Sequence, residues 1–460
     1  MNVTTIRSRS VLVNDRMDAY FFTAPGVAAS ERLAMLEATG MNTVRLGDVA
    51  RVWDPPRFAR AWAALAEPGI PYLRPYDVFE FLPTAADRLS IGHNRDVDAL
   101  RPSPGTLLQT CSGRNLGPCT YADDYIAQFA LSHDMIRIEI PDLHVRAYAL
   151  VFLKTPTGQA LLRRGKSGSV IDHLTTSDVA ALPVPLLPTE IRRSIVDQAE
   201  QSIAAAAEAR RRLVALLAAQ ENALPMPARR AHLQDGWTLP ASSVRDRLDA
   251  AYYDPLVATA GAQVASAGGT RCGDVARASL PLRYKRYYVS SEHGRPILSG
   301  RQLLQLEPVN LRHVSDRSFR QPGNYVIRSG MTILGADGRA EGNQGAAALV
   351  TANRAGWLAS NHVMRLAPHE GVRPGALWLA IAARQSRAQI NALSFGSVVD
   401  QINPGDIEEI ILPPIDGAAA EEAEDAWELS AEAGSAMSRA ISMLEIQLGV
   451  RNGQPEASVA

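Results

Sequence analysis

Five stretches of this 460-residue chain occur twice, in the same order. DRMDAYFF (15–22) returns as DRLDAAYY (246–253), and RLGDVARV (45–52) returns as RCGDVARA (271–278). GIPYLRPYDVFEF (69–81) returns as GRPILSGRQLLQL (294–306), and GTLLQTCSGR (105–114) as GMTILGADGR (330–339). GSVIDHLTTSDVAALPVPLLP (168–188) returns as GSVVDQINPGDIEEIILPPID (396–416). The offset stays between 225 and 231 positions, so two copies of one fold with small loop changes are expected. A period this long exceeds that of solenoid repeats and marks duplicated domains. Two copies on one chain give a pseudo-two-fold object, suited to a target with two parts.

Within each copy, short apolar runs alternate with Gly and Pro and read as strands. Examples are GTLLQ (105–109), MIRIEI (135–140) and YVIRSGMTIL (325–334). AYALVFLKTPTGQALLRR (147–164) and GALWLAIAARQSRAQINAL (375–393) read as helical stretches at matching places. The fold class expected is α+β.

Each copy is followed by a long helical segment. The first covers 189–224, with Thr189 as N-cap and Pro225 as stop. Its apolar stripe is Ile195, Ala199, Ile203, Ala206, Ala209, Leu213 and Leu216. The second covers about 418–448, with Ala423, Ala426, Ser430, Ala433, Met437, Ile441, Leu444 and Leu448. Steps of three or four give one narrow seam per helix, as in a coiled coil. Two antiparallel helices holding the domains apart are expected, each roughly 50 Å long at about 1.5 Å per residue. The expected organisation is a domain over 1–188, a spacer helix over 189–225, a domain over 240–416, a second helix over 417–450 and a disordered tail over 451–460.

Hydrophobic content of 46% and charged content of 21% fit a soluble globular protein. No window approaches 18 uninterrupted apolar residues, and the first residues lack the apolar core of a secretory signal. The three cysteines, Cys111, Cys119 and Cys272, fit a reducing cytoplasm and show no zinc spacing. Net charge is -1, yet its distribution is uneven. Lys154, Lys166 and Lys285 are the only lysines, so positive charge is nearly all arginine, and an acidic block occupies 421–434. A local basic face is compatible with a neutral total.

The junction SGSVIDHLTTSDVAALPVPLLPTEIRRSI (167–195) resembles the end of a target recognition domain in Type I restriction-modification specificity subunits. RLDAAYYDP (247–255), GDVA (273–276) and GRPIL (294–298) are similar to the opening of such a domain. The resemblance runs from about residue 15 to 448, in the order domain, helix, domain, helix. It implies a non-catalytic DNA reader with two tandem target recognition domains, each reading half of a split site in the major groove. It also implies a helical spacer that sets the distance between the halves. A modification subunit carrying S-adenosylmethionine would dock on the helices, for which Ile195, Ile203, Leu213, Leu216, Met437, Ile441 and Leu444 are the interface candidates. A motor-nuclease subunit is a further implied partner. Two features depart from the pattern: ILPPID (411–416) lacks the full proline run and leads into Gly417 and alanines, and the second helix is acidic. A specificity-like subunit of a related phage-defence methyltransferase system shares the same features.

Binding a duplex needs cations against phosphates, and reading it needs donors aimed at base edges. LRYKRYY (282–288) matches PRFARAW (56–62) in the other copy. Arg57 corresponds to Arg283, Phe58 to Tyr284 and Arg60 to Arg286, with Lys285 added in the second copy. Basic residues interleaved with aromatics fit a DNA-facing loop. A surface loop with an aromatic anchor in the core is the plainer reading. Arg114 and Arg339, each after a glycine, are a second matched pair of candidates. Arg163, Arg164 and Lys166 form a third cluster, uncharged in the second copy.

DPPR (54–57) lacks the aromatic of an amino-methyltransferase motif, and ALLRRGKS (160–167) lacks the first glycine of a P-loop. His93, His133, His173 and His362 show no metal spacing. The competing expectation is a duplicated protein-interaction scaffold of a defence complex, with degenerate DNA binding.

Overall fold

The structure is a computed structural model, and it describes residues 25–64, 67–94, 97–112, 116–164, 173–228, 236–244, 247–338, 345–395 and 400–449. The chain divides into two compact units. Unit 1 comprises Met1–Phe79, Ala85–Ala207 and Glu432–Ala460, and unit 2 comprises Glu80–Thr84 and Glu208–Ala431.

In the first copy the elements are α1 (Pro25–Ala38), β1 (Asn42–Arg45), α2 (Leu46–Val49), β2 (Arg51–Trp53), β3 (Gly69–Leu73), β4 (Asp87–Ser90), β5 (Leu107–Thr110), β6 (Cys119–Tyr121), β7 (Ala130–Leu131), β8 (Met135–Glu139), α3 (Leu143–Lys154), α4 (Pro156–Arg164), α5 (Thr176–Ala180) and β9 (Pro183–Leu186). A four-stranded antiparallel sheet has the order β2-β8-β5-β6. A smaller sheet has the order β4-β3-β7, with β3 and β7 parallel. β1 pairs with β9. Strand alternation divides the core. Leu107, Ile136 and Ile138 join α1, α3 and α5 residues in one cluster, whereas Leu108 and Met135 join Leu73 and Leu131 of the small sheet in another.

The second copy repeats this order: α7 (Pro255–Ser266), β10 (Thr270–Arg271), α8 (Cys272–Val275), β11 (Ala276–Ser279), β12 (Tyr288–Val289), β13 (Arg295–Leu298), β14 (Arg312–Val314), β15 (Thr332–Gly335), β16 (Asp337–Gly338), β17 (Ala347–Leu349), β18 (Leu358–Ala359), β19 (Val363–Pro368), α9 (Pro374–Ala382), α10 (Arg384–Ala392), β20 (Asp400–Gln401), α11 (Pro404–Glu408) and β21 (Ile411–Leu412). Its sheets are β11-β19-β15-β17 and β12-β14-β13-β18, with β13 and β18 parallel. The α+β architecture therefore occurs in each copy. β16-β20 answers the isolated Ser112–His173 bridge of the first copy.

The repeated motifs build this fold. Gly105 and Gly330 open the β5 and β15 strands at φ 92° and 84°, where a side chain would be strained. A Cβ on Gly47 would meet Ala180 at 2.9 Å, and one on Gly273 would meet Glu408 at 3.1 Å. The GDVA glycine thus lets α2 and α8 lie tight against α5 and α11. In the DRLDAAYY motif, Arg247 donates to the Leu393 and Ser394 carbonyls at 2.8 and 2.7 Å and pairs with Asp249. That ties the start of the copy to the end of α10. The first-copy version, 15–22, lies outside the described residues.

The helical stretch expected over 147–164 is two helices, broken at Thr155 (φ -64°, ψ 149°). Pro156 lacks an N–H and disfavours helical backbone before it. The stretch over 375–393 breaks in the same way at Ala383 (φ -58°, ψ 144°) without any proline. The fold, then, imposes the break and the proline only suits it. In YVIRSGMTIL the strand is confined to Thr332–Gly335, and Pro322–Tyr325 is a 3-10 turn.

The long helices are α6 (Thr189–Ala223) and α12 (Gly417–Gln447). Thr189 is the first helical residue rather than the cap, and the Pro188 carbonyl accepts from Arg192. The second junction, which reads as lacking a polar start, is capped by Asp416, whose carboxylate accepts from the Ala418 and Ala419 N–H groups. The first part of α6 and the last part of α12 belong to unit 1, and the remainders belong to unit 2.

In unit 1 they run antiparallel: Ser202 Oγ donates to the Ala433 carbonyl and Arg439 Nε to Gln198. Ile195, Ala199, Met437, Ala440, Leu444 and Leu448 are buried there, with Ile203 and Ile441 packed against them. Glu445 of α12 accepts from Thr157 N and Oγ1 at the start of α4, at 2.8 and 3.0 Å. In unit 2, Arg212 forms a two-pronged pair with Glu422, Leu213 is buried and Leu216 is half-buried. Glu221 pairs with Arg384 at the start of α10, the counterpart of the Glu445 contact. Of the residues expected to meet a second subunit, Ile195, Leu213, Met437 and Leu444 are buried within this chain, Ile203 and Ile441 pack on the unit 1 cluster, and Leu216 is half-buried. A sequence stripe does not distinguish those two uses.

Acidic residues of α12 likewise have partners of their own: Glu424 accepts from Arg373 and from the Gly375 N–H at 2.9 Å each. Burial alone would raise the Glu424 carboxyl, but those two donors override it and hold it below the ordinary value. No described helix is long and apolar enough to cross a membrane.

Candidate nucleic-acid interface

The 56–62 and 282–288 loops occupy the same place in the two copies. Each runs along the edge of the sheet that holds the parallel pair, β3 with β7 in the first copy and β13 with β18 in the second. Trp62 bridges Leu89 on β4, and Tyr288 in β12 pairs with Val314 on β14. Both aromatics are 45% exposed.

Beneath each loop sits one aromatic anchor. Phe58 packs on the small-sheet cluster, with its ring against His133 (centroids 5.9 Å, 79°). Tyr284 sits in a three-ring cluster with Phe319 and Tyr325, at 4.5 and 4.8 Å. Edge and tilted contacts of this kind add modestly to burial. Burial pushes the Tyr284 phenol above its ordinary value. Backbone hydrogen bonds fix the loops: Asn94 accepts from Ala61 N and donates to its carbonyl, Tyr325 Oη donates to the Leu282 carbonyl, and Tyr287 N donates to Ser318 Oγ.

The cations stand outward. Arg57, Arg60, Arg283, Lys285 and Arg286 are all exposed. Arg60 lies over Phe58 and Arg286 over Tyr284, with Cζ 6.0 and 5.6 Å from the ring centroids. Arg60 Nε donates to Tyr72 Oη at 3.0 Å, and an Arg286 terminal nitrogen donates to Asn361 Oδ1 at 3.4 Å. Lys285 stands over the Tyr287 ring at 5.2 Å. None of these five pairs with a carboxylate among the described residues.

The remaining candidates fall elsewhere. Arg163 is half-buried, donating to the Leu116 carbonyl and to Gln159. Arg164 is half-buried and donates to Ser30 Oγ at 2.7 Å, and burial lowers its pKa. Both face their own unit and tie α4 to its neighbours. Arg114, Lys166 and Arg339 lie outside the described residues.

Two arginines escaped the sequence reading. Arg137 of β8 and Arg365 of β19 are 1% and 2% exposed, at the same register opposite Leu108 and Ile333. Arg137 donates to the Ala99 and Leu100 carbonyls, and Arg365 to those of Tyr325, Ala359, Ser360 and Val363. Burial pulls both down to about 10. Their recurrence in MIRIEI and VMRLAP was the available signal. Arg365 holds the Tyr325 backbone and so supports the anchor under the second loop.

One cluster invites comparison with a nucleophile site: Ser90, His93 and Glu67 of unit 1. Ser90 Oγ and Glu67 both face the same ring nitrogen, His93 Nδ1, at 2.9 and 3.0 Å. A proton relay needs them on opposite nitrogens. Ser90 also accepts the His93 N–H, as a turn cap does. Cys111, Cys119 and Cys272 are buried and form no disulfide, and burial pushes Cys111 and Cys272 up to about 12. No three described His, Cys, Asp or Glu side chains come together to hold a metal ion.

No family model matches the sequence, and no curated protein is similar to it. Among solved structures, chains of restriction-modification systems are similar to it. The Type I restriction-modification S subunit from M. genitalium is 12% identical, with 89% of this chain and 94% of that chain covered and a TM-score of 0.27. The HsdS subunit from Thermoanaerobacter tengcongensis is 14% identical, with 89% and 92% covered and a TM-score of 0.26. A chain from a structure of type I R-M complex assembly and conformational transition is 14% identical, with 89% and 96% covered and a TM-score of 0.29. Likenesses at such TM-scores carry no weight for function.

Proposed function

We propose that this chain is a non-catalytic DNA sequence-specificity subunit that recognises a bipartite target and directs a methyltransferase complex to it. Each copy acts as a target recognition domain reading one half-site, and α6 and α12 set the spacing between the halves. The methyl-transfer chemistry and its S-adenosylmethionine belong to a partner modification subunit, and a motor-nuclease subunit joins where the system restricts. One observation carries this reading. Exposed cations over an aromatic anchor, paired with no carboxylate among the described residues, recur at the same sheet edge in both copies. The ordered family motifs of the sequence support it independently. Affinity from such loops is electrostatic, and specificity follows from donors aimed at bases.

The test is methylation by the chain combined with the methyltransferase subunit that co-purifies with it. Methylation of a split sequence that depends on this chain is the expected result. Genome-wide methylation without any such split motif rejects the proposal.

A further inference from the structure

The loop cations are of two kinds. Arg57, Arg283 and Lys285 are exposed on flexible stems, with no oxygen holding them among the described residues. Arg60 and Arg286 are tethered. Each lies over the aromatic two residues earlier, Arg60 also over the Tyr72 ring at 5.6 Å, and each donates to a neutral oxygen of the segment beneath, with the Tyr284 and Tyr288 hydroxyls as further partners of Arg286. Those oxygens are themselves fixed. Tyr72 is 3% exposed and packs edge-on against Trp62 at 5.4 Å. Asn361 is buried and bonded to His362 Nε2 at 3.2 Å, and His362 Nδ1 is bonded to Asp337.

A neutral tether orients a guanidinium without cancelling its charge. A carboxylate would do both, and neither arginine pairs with one among the described residues. Each guanidinium keeps further N–H donors beyond that bond. A planar donor fork held in advance loses little entropy on binding and matches paired acceptors on one ligand plane. In duplex DNA, guanine O6 and N7 present such a pair in the major groove. A phosphate, by contrast, accepts a cation from many directions and needs no fixed plane.

We propose that Arg60 and Arg286 are the paired base-reading side chains, one per half-site and selective for guanine, while Arg57, Arg283 and Lys285 contact phosphate. The proposal rests on the DNA-reading function above and names its specificity residues. Copies of different sequence keep this one reader in common and vary the support beneath it.

The experiment is selection from a random duplex DNA library by the full-length chain, purified with the subunits that co-elute with it. Wild type is compared with R60A, R60K, R286A, R286K and the double variant R283A/K285A. R286A and R286K should each flatten a guanine preference in one half-site, by roughly tenfold or more. R60A and R60K should do so in the other half. The lysine variants keep the charge and lose the fork, so they serve if alanine perturbs folding. R283A/K285A should weaken all sequences alike and lower the slope of log affinity against log salt by about 2. Unchanged guanine preference in the Arg60 and Arg286 variants, or a uniform affinity loss, overturns this inference and leaves the DNA-reading function standing. A wild-type chain that enriches no split motif overturns both.

Discussion

Ile126 and Arg354 stand at the same point of the two copies, four residues before the parallel strands β7 and β18. Ile126 is fully buried in an apolar cluster with Leu73, Val78, Leu108 and Leu131. Arg354 is also buried, at 8% exposed, yet it donates to the carbonyls of Leu303, Gln305 and Leu306, and burial pulls it down to about 10. One topology thus closes the same corner with hydrocarbon in one copy and a guanidinium in the other. The backbone path is what the duplication preserved, and the chemistry that secures it was free to change.

That contrast can be broken first at Arg354. Arg354→Ala leaves three carbonyls without their donor and should destabilise unit 2 by about 3–5 kcal/mol. Ile126→Ala should cost unit 1 about 2–4 kcal/mol through lost burial and a cavity. Denaturant unfolding followed by hydrogen exchange resolves the units. A cost below 1 kcal/mol at Arg354 would show that its carbonyls find water instead.

The loops offer the next comparison. Changing Arg283, Lys285 and Arg286 together to alanine should lower the salt slope of DNA binding by about 2, and changing Arg57 and Arg60 by about 1, since Arg286 and Arg60 contact bases rather than phosphate. Salt-titrated binding to one duplex measures both, and equal slopes would remove the added lysine from the interface.

A smaller contrast lies along the long helices. Glu424 is held by Arg373 and the Gly375 N–H, whereas Glu200 in the matching place forms only an exposed pair with His144. Glu424→Gln should cost about 1–2 kcal/mol at pH 7, and Glu200→Gln nothing measurable. The Glu424 carboxyl lies below its ordinary value in the folded state. Its contribution is therefore fully present above the unfolded value near 4.5 and is lost as pH falls through the lowered one. Melting of E424Q and wild type should converge in that acid window. A smaller effect than at Glu424 is expected at the Arg212–Glu422 pair, where Arg212→Ala should cost under about 1 kcal/mol by thermal melting.

The sequence carried the duplication, the α+β texture and the two long helices, because period and turn chemistry are local signals. It also carried the aromatic-and-arginine loop, since the two copies place those residues at one offset. It did not carry the use of Arg163 and Arg164, whose inward donation depends on Leu116, Gln159 and Ser30 arriving from elsewhere. Nor did it carry Arg137 and Arg365, since a charged residue in a strand reads as facing solvent until its carbonyl partners fold over it. The helix stripe was legible as apolar, but the identity of what covers it was not.

Unit 1 draws part of its core from Met437, Ala440, Leu444 and Leu448, which are synthesised long after Ile195 and Ala199. A nascent chain therefore emerges with its first copy complete in sequence and still open along one side of α6. Until the last helix arrives, that apolar stripe is available to chaperones, and a prematurely ended chain would keep it exposed. The arrangement makes the folding of the first half a report on whether translation reached the far end.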